Sequence, residues 1–259
     1  MRKRDLAVRV LTSIPEIAWP LRPGEPTLDD AEVHVWAFVL HQPPEKLAPL
    51  AELLSEDERA RAVERRAGPV RDHYLAGRGG LRVLVGRYLR LAPERLQFAY
   101  GRHGKPELAG AEAGALHFNL AHSGGLALLA VTRAAPLGVD VERVRPMRDA
   151  AQLAERFFSP RESAALKQIP AAELDATFFQ LWTRKEAFVK VSGAGITASL
   201  SKFEVTFRSE VPPRVVVVDG DPIAGAVWTL CGLSPAAGYV GALAVPAPRM
   251  RACCWRLEF

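Results

Sequence analysis

The sequence predicts an α+β protein of two pseudo-symmetric lobes, each an antiparallel sheet packed with helices, and three observations predict it. Short β-like segments and amphipathic helical stretches occur in both halves of the chain. Neither half has the regular strand–helix–strand alternation of a parallel sheet. At 259 residues, 49% of them hydrophobic and 24% charged, the chain can bury a sizeable core and is too apolar for general disorder. No repeat is visible residue by residue, so the likeness of the halves is one of architecture alone.

Taken in order, residues 1–30 are rich in Pro and Arg and read as an extended lead-in. Arg9, Pro15 and Glu16 interrupt any apolar run behind the basic start, which argues against a signal peptide. The N-terminal lobe, 31–136, opens with VHVWAFVL (33–40), a buried strand ended by HQPP. Ser55 with Glu58 three residues on forms a capping box, and the helix behind it carries Arg59, Arg61, Arg65 and Arg66. A second helix covers 70–90. LQFAY (96–100) reads as a strand, GRHGKPEL (101–108) as a loop, and HFNLAHSGG and LALLAVT (126–132) as β-like segments. The C-terminal lobe, 137–249, begins with LGVDVE (137–142), continues through a helical stretch at 149–168 and a longer helix at 172–191, and breaks at VSGAGI (191–196). KFEVTF, RVVVVDG, AVWTLCG and GYVGALAV follow as strand candidates, and residues 250–259 form a C-terminal tail.

Composition excludes several classes. No run approaches eighteen uncharged apolar residues, so no membrane-spanning helix is expected. The three cysteines, Cys231, Cys253 and Cys254, without an export signal, make a disulfide framework not credible and a reducing cytoplasm the expected compartment. The net charge of +5 is modest. It suits any polyanionic partner: nucleic acid, a phosphorylated cofactor or an acidic protein.

Two constellations can carry chemistry. Asp140 and Glu142 alternate with Val139 and Val141, so a strand presents both carboxylates on one face, roughly 6–7 Å apart, and buries the valines on the other. Such oxygens suit a hard dication such as Mg²⁺; a strand with one wet face gives the same pattern. In FFQLWTRKEAFVK (178–190), Phe178, Leu181, Trp182, Phe188 and Val189 form an apolar stripe. Glu186 and Lys190 are neighbours on its shoulder, and Lys185 projects into the stripe, where it needs an anion or a snorkelling route. His122 and Ser123 stand at a Ser-Gly-Gly turn, where imidazole, hydroxyl and backbone N–H groups can donate to phosphate, or the histidine can simply be satisfied by backbone. There is no Walker-type phosphate loop or Rossmann fingerprint, no zinc-ligand spacing and no nucleophile elbow.

In this order and spacing, GVDVE (138–142) and, about forty residues on, WTRKEAFVK (182–190) resemble the 4′-phosphopantetheinyl transferase superfamily, of the large, monomeric, surfactin-synthetase-activating type. GKPEL (104–108), the FN-x-x-HS segment (Phe118 to Ser123) and the FFS-x-x-E segment (Phe157 to Glu162) extend the resemblance over about 30–245. It implies the fold of that family and a Mg²⁺-dependent transfer of 4′-phosphopantetheine from coenzyme A to a serine of an acyl- or peptidyl-carrier protein, releasing 3′,5′-ADP. By the same resemblance Asp140, Glu142 and Glu186 hold the metal, and Lys185 and Lys190 contact the pyrophosphate. His122, beside Ser123, meets the 3′-phosphate, Lys105 and Pro106 border the adenine, and Glu162 is the base for the serine hydroxyl, with Glu186 its rival. A family member has a lysine where Glu58 stands and a serine where Ala121 stands, leaving Arg61, and less so Arg78, to grip phosphate. The resemblance thus points to a carrier-protein partner, and away from nucleic acid and membrane. Two other readings compete: a nucleic-acid binder using the arginine-rich helices at 55–90, which lacks an aromatic stacking platform, and a non-catalytic scaffold, which the intact carboxylates and lysines argue against.

Overall fold

The computed structural model describes residues 15–102, 104–192, 200–207, 211–221 and 223–259. The first fourteen residues of the lead-in and most of VSGAGI lie outside the described residues. Strand β1 (Glu32–Val39) is followed by helices α1 (Pro44–Glu52), α2 (Glu56–Val63) and α3 (Pro69–Leu89). A small hairpin, β2 (Phe98–Tyr100) and β3 (Pro106–Leu108), precedes β4 (His117–Ser123), β5 (Leu126–Thr132) and β6 (Gly138–Arg143). Helices α4 (Ala150–Phe157), α5 (Pro160–Leu166) and α6 (Ala171–Ser192) follow. The chain ends with β7 (Phe203–Val205), β8 (Val215–Val218), β9 (Thr229–Leu233), β10 (Tyr239–Val245) and β11 (Arg251–Arg256). The fold is α+β. No helix among the described residues is long and apolar enough to cross a membrane.

Two main sheets, ordered β11-β1-β5-β4 and β6-β10-β9, lie face to face. The two-residue period of their strands sorts the side chains. Val33, Val35 and Ala37 of β1, Leu126 and Leu128 of β5, Val139 and Val141 of β6, and Leu243 and Val245 of β10 fill the space between the sheets. The opposite face of the first sheet, with Trp36, Phe38, Phe118 and Leu129, packs against Leu81, Leu84, Val85 and Tyr88 of α3. The outer face of the second, with Ala242 and Ala244, packs against Phe178, Leu181 and Val189 of α6 and the aromatic cluster around Phe158. Helices therefore cover the outside of both sheets.

Three expectations need correction. The tail is a strand: β11 lies beside β1 and runs parallel to it, so the first sheet is mixed rather than antiparallel. The loop at 101–108 contains β3, paired with β2. The helical stretch at 149–168 is two helices, because Ser159 starts a new one: its Oγ accepts from Glu162 N–H at 3.2 Å, and Pro160 takes the first-turn position, where a missing N–H costs nothing.

Candidate active site

Strand β6 and helix α6 bring three carboxylates together. Gly138 makes their approach possible: a Cβ there would stand 2.0 Å from the Ala187 carbonyl oxygen and 2.9 Å from Lys190 Cβ. Only glycine lets the strand press against the helix this closely. Val139 N–H donates to Asn119 Oδ1 at 2.9 Å, which fixes β6 beside β4. Asp140 then points at α6, where Lys190 Nζ donates to its Oδ1 at 2.6 Å and to the Val139 carbonyl at 3.3 Å.

The remaining oxygens are informative. Asp140 Oδ2 and Glu186 Oε1 are buried without any hydrogen-bond partner. Buried polar atoms are nearly always paired, so the orphaned oxygens on these two facing elements could hold a cation. Glu142 is held from the side, with Ser123 Oγ donating to its Oε2 at 2.6 Å and Arg145 Nη1 at 3.3 Å. Burial pushes the Asp140 carboxyl up to about 6, against the opposing pull of Lys190. Burial likewise pushes Glu186 up to about 7, and the neighbouring charge of Asp140 adds to it. Three carboxylates against Lys190 and, at the exposed edge, Arg145 leave an anionic excess that a hard dication would relieve.

Around this centre, Ser123 leads into a tight hairpin whose central residues, Gly124 and Gly125, have φ of +53° and +89°, the left-handed region a two-residue β-turn requires. The Tyr239 hydroxyl donates to the Gly124 carbonyl and pins the turn. His122 sits exposed on the rim, within electrostatic reach of Lys190 and Glu142. Beside the carboxylates, Lys105, Pro106, His117, Phe118, Leu137 and Val191 line a cavity of about 450 Å³. Lys105 Nζ donates to the carbonyls of Leu137 and Lys190 at 3.1 and 2.8 Å, tying its loop to the start of β6 and the end of α6.

Two expected site residues are not brought to this centre. Lys185 is fully buried, and its ammonium is spent on Glu162 Oε2 at 2.7 Å and on the carbonyls of Leu200 and Phe203 at 2.7 and 2.6 Å. Glu162 is equally engaged: its Oε2 also accepts from Ser159 N–H at 3.0 Å, and its Oε1 accepts from Val205 N–H at 2.9 Å. Among the described residues the three donors of Lys185 are all taken and both oxygens of Glu162 are engaged, which turns the pair toward the core rather than the three carboxylates. Residues 185 and 186 lie about 100° apart around a helix, so Glu186 can face the cleft while Lys185 faces the core.

Glu58 and Arg78 also resolve. Glu58 is completely buried between Arg78 and Arg82, which spends the Arg78 guanidinium. Arg61 is half-exposed and lies over the Tyr100 ring at 3.9 Å. No contact among the described residues joins it to the carboxylates. Reading by sequence missed Asn119, although its place in the FN-x-x-HS segment was a signal. It also missed Arg145, three residues beyond Glu142.

Known proteins match this sequence. A family model described as the 4′-phosphopantetheinyl transferase superfamily matches residues 136–244, the stretch that carries Asp140, Glu142, Glu186 and Lys190. The protein named 4′-phosphopantetheinyl transferase HetI, from a Nostoc species, is 40% identical over 229 residues, covering 88% of this chain and 93% of its own length. A putative 4′-phosphopantetheinyl transferase of Synechocystis is 39% identical over 150 residues, 58% of this chain and 61% of that protein. 4′-Phosphopantetheinyl transferase Sfp of Bacillus subtilis is 30% identical over 130 residues, 50% and 56% of the two chains.

Proposed function

The chain belongs to the 4′-phosphopantetheinyl transferase superfamily, and from that membership we propose that it moves 4′-phosphopantetheine from coenzyme A to a serine hydroxyl of an acyl- or peptidyl-carrier protein. The reaction releases 3′,5′-ADP and uses a divalent cation, with Mg²⁺ the first choice. The observation that carries the reading is the pair of orphaned, buried oxygens on Asp140 and Glu186, with Glu142 beside them. Their all-oxygen donor set fits a hard dication that also binds phosphate oxygens. When bound, that ion neutralises charge on the pyrophosphate.

The chain's own residues do the rest. Lys190, already turned toward the carboxylates, shares its ammonium with the pyrophosphate. His122 and Ser123 stand at the rim where a coenzyme phosphate passes, the 3′ one in this reading. The cavity lined by Lys105 and Pro106 takes the adenine, bordered by the lysine's stem because its ammonium is occupied. Arg61 is the outlying cation for phosphate.

With Glu162 engaged elsewhere, the serine proton goes to Glu186, whose two oxygens can divide metal and proton duty. The substrate's serine, leaving group and phosphates are thus held by fixed charges, and positioning with charge neutralisation is what phosphoryl transfer demands. Lys185 and Glu162 are positioning residues that lock α6 so that Glu186 faces the cleft.

In the same reading the chain works as a cytoplasmic monomer of two pseudo-symmetric lobes, 31–136 and 137–249, with the tail joining the first. Its basic surface serves an acidic carrier protein rather than nucleic acid. Incubating apo carrier proteins with the chain, coenzyme A and Mg²⁺ tests this by mass spectrometry. A phosphopantetheine adduct on the carrier serine is expected; its absence on carriers of fatty-acid, polyketide and peptide synthesis alike would overturn the reading.

A further inference from the structure

We propose that Glu32, His34 and Cys253 form a second metal site, for a transition-metal dication of which zinc is the first choice, joining the last strand of the chain to the first. The proposal is independent of the transferase reading and shares no residue with its site.

The topology makes the cluster. Strands β1 and β11 run parallel, with His34 opposite Cys253 and Glu32 opposite Arg251. Residues opposite one another share a face, and so do residues two apart on one strand. A carboxylate, an imidazole and a thiol therefore gather on the face that Tyr88 of α3 covers. One ligand atom from each of the three lies within 4.8 Å of the others. His34 Nε2 is 3.3 Å from Glu32 Oε2, and Cys253 Sγ is 3.7 Å from Glu32 Oε1. Ligands at zinc's usual bond lengths in a tetrahedron stand about 3.3 Å apart for nitrogen and oxygen and about 3.6 Å for sulfur and oxygen. Both contacts have those lengths but fall on different oxygens of Glu32, so a turn of the carboxylate, with all three ligand atoms within 4.8 Å, is what closes the set on one ion.

The surroundings suit a metal as well. His34 Nδ1 is 2.6 Å from the Tyr88 hydroxyl, which also accepts from Trp36 Nε1 at 2.8 Å. That contact fixes the ring and leaves Nε2 directed at Glu32, as the outer partner of a metal-bound histidine does. Arg251 pairs with Glu32 across the rim, but its side chain is 69% exposed and can turn to water. Arg251 and Arg22, which stacks on Trp255, repel a cation held by charge alone. A thiolate–imidazole–carboxylate set therefore selects a softer ion such as zinc over Mg²⁺ or Ca²⁺. On binding, the Cys253 thiol gives its proton to solvent, the single imidazole proton resides on Nδ1 toward Tyr88, and a water takes the fourth position.

The test uses the full chain, stripped with a chelator and titrated with Co²⁺ as a spectroscopic probe for zinc. One equivalent should produce a thiolate-to-cobalt charge-transfer band and strong tetrahedral d–d bands, all displaced by Zn²⁺. Cobalt taken up by Asp140, Glu142 and Glu186 gives no thiolate band. Cys253→Ser should abolish the charge-transfer band, whereas Cys231→Ser and Cys254→Ser should keep it. Glu32→Gln should weaken Zn²⁺ binding at least tenfold. Transfer activity of Cys253→Ser with Mg²⁺ should stay at the level of the parent, so failure here is distinct from failure of the transferase reading. A parent protein with no thiolate band, or a band that survives Cys253→Ser, overturns the site.

Discussion

Lys190 Nζ stands 2.6 Å from Asp140 Oδ1, across the gap between the last turns of α6 and the middle of β6. The contact joins two segments fifty residues apart and balances one of three converging carboxylates. In the proposed reaction the same ammonium also meets the coenzyme's pyrophosphate. A charge-assisted hydrogen bond contributes about 1.5–3 kcal/mol, so Lys190→Ala should weaken coenzyme A binding roughly ten- to hundredfold by calorimetry. Unchanged affinity would remove Lys190 from the coenzyme site.

Glu186→Gln keeps the size of the side chain and removes its charge. Transfer to an apo carrier should fall by at least about a hundredfold, while circular dichroism and melting temperature stay near those of the parent. The variant has less buried charge, so its metal-free form should be no less stable. Near-normal transfer would exclude Glu186 from the chemistry.

Gly138→Ala tests how closely β6 must approach α6. The added Cβ would lie 2.0 Å from a backbone carbonyl that belongs to a helix and cannot yield like a flexible side chain. The loss expected is about 2–4 kcal/mol in chemical denaturation, with transfer reduced because Asp140 shifts relative to Glu186. A variant as stable and as active as the parent would show that the two elements have slack between them.

Glu58 gives a pH-dependent prediction away from the site. Burial raises its carboxyl, but Arg78, with Arg82, more than offsets this and holds it below the ordinary range. A depressed carboxyl stabilises the fold above the unfolded-state value near 4.5, and that contribution disappears as pH falls through the lower, folded-state value. Glu58→Gln should therefore cost about 3–5 kcal/mol at pH 7, since it strands two buried guanidinium groups. The gap between variant and parent should narrow in acid. A gap that is constant from pH 7 to the acid limit would contradict the pairing.

Much of this was legible because the signals are local. The alternation in GVDVE set Asp140 and Glu142 on one face, and the helical period of 178–190 put Glu186 beside Lys190 and pushed Lys185 inward. What stayed hidden depends on partners distant in sequence. Nothing in CCWRLEF says that it will lie parallel to a strand more than two hundred residues earlier, and edge pairing is poorly encoded in composition. The periodicity leaves Lys185 needing an anion or a snorkelling route, the family resemblance offers pyrophosphate, and the fold supplies Glu162, twenty-three residues upstream. Ser159-Pro160 with Glu162 was a readable helix start, obscured because the same glutamate carried a functional expectation from the family resemblance.

That double claim on Glu162 leads to the last prediction. If Lys185 and Glu162 are a positioning pair, removing one partner leaves an uncompensated buried charge, and Lys185→Met alone should cost about 3–5 kcal/mol. Lys185 is fully buried, so solvent screening offers little relief. Replacing both, Lys185→Met with Glu162→Leu, removes the charges together. Much of the loss should then return, although Ser159 and Val205 lose their acceptors on Glu162. Activity separates the roles. In the positioning account, transfer by the double variant recovers along with stability and keeps the pH profile of the parent, because the proton goes to Glu186. If Glu162 were the base, the double variant would be folded and inactive.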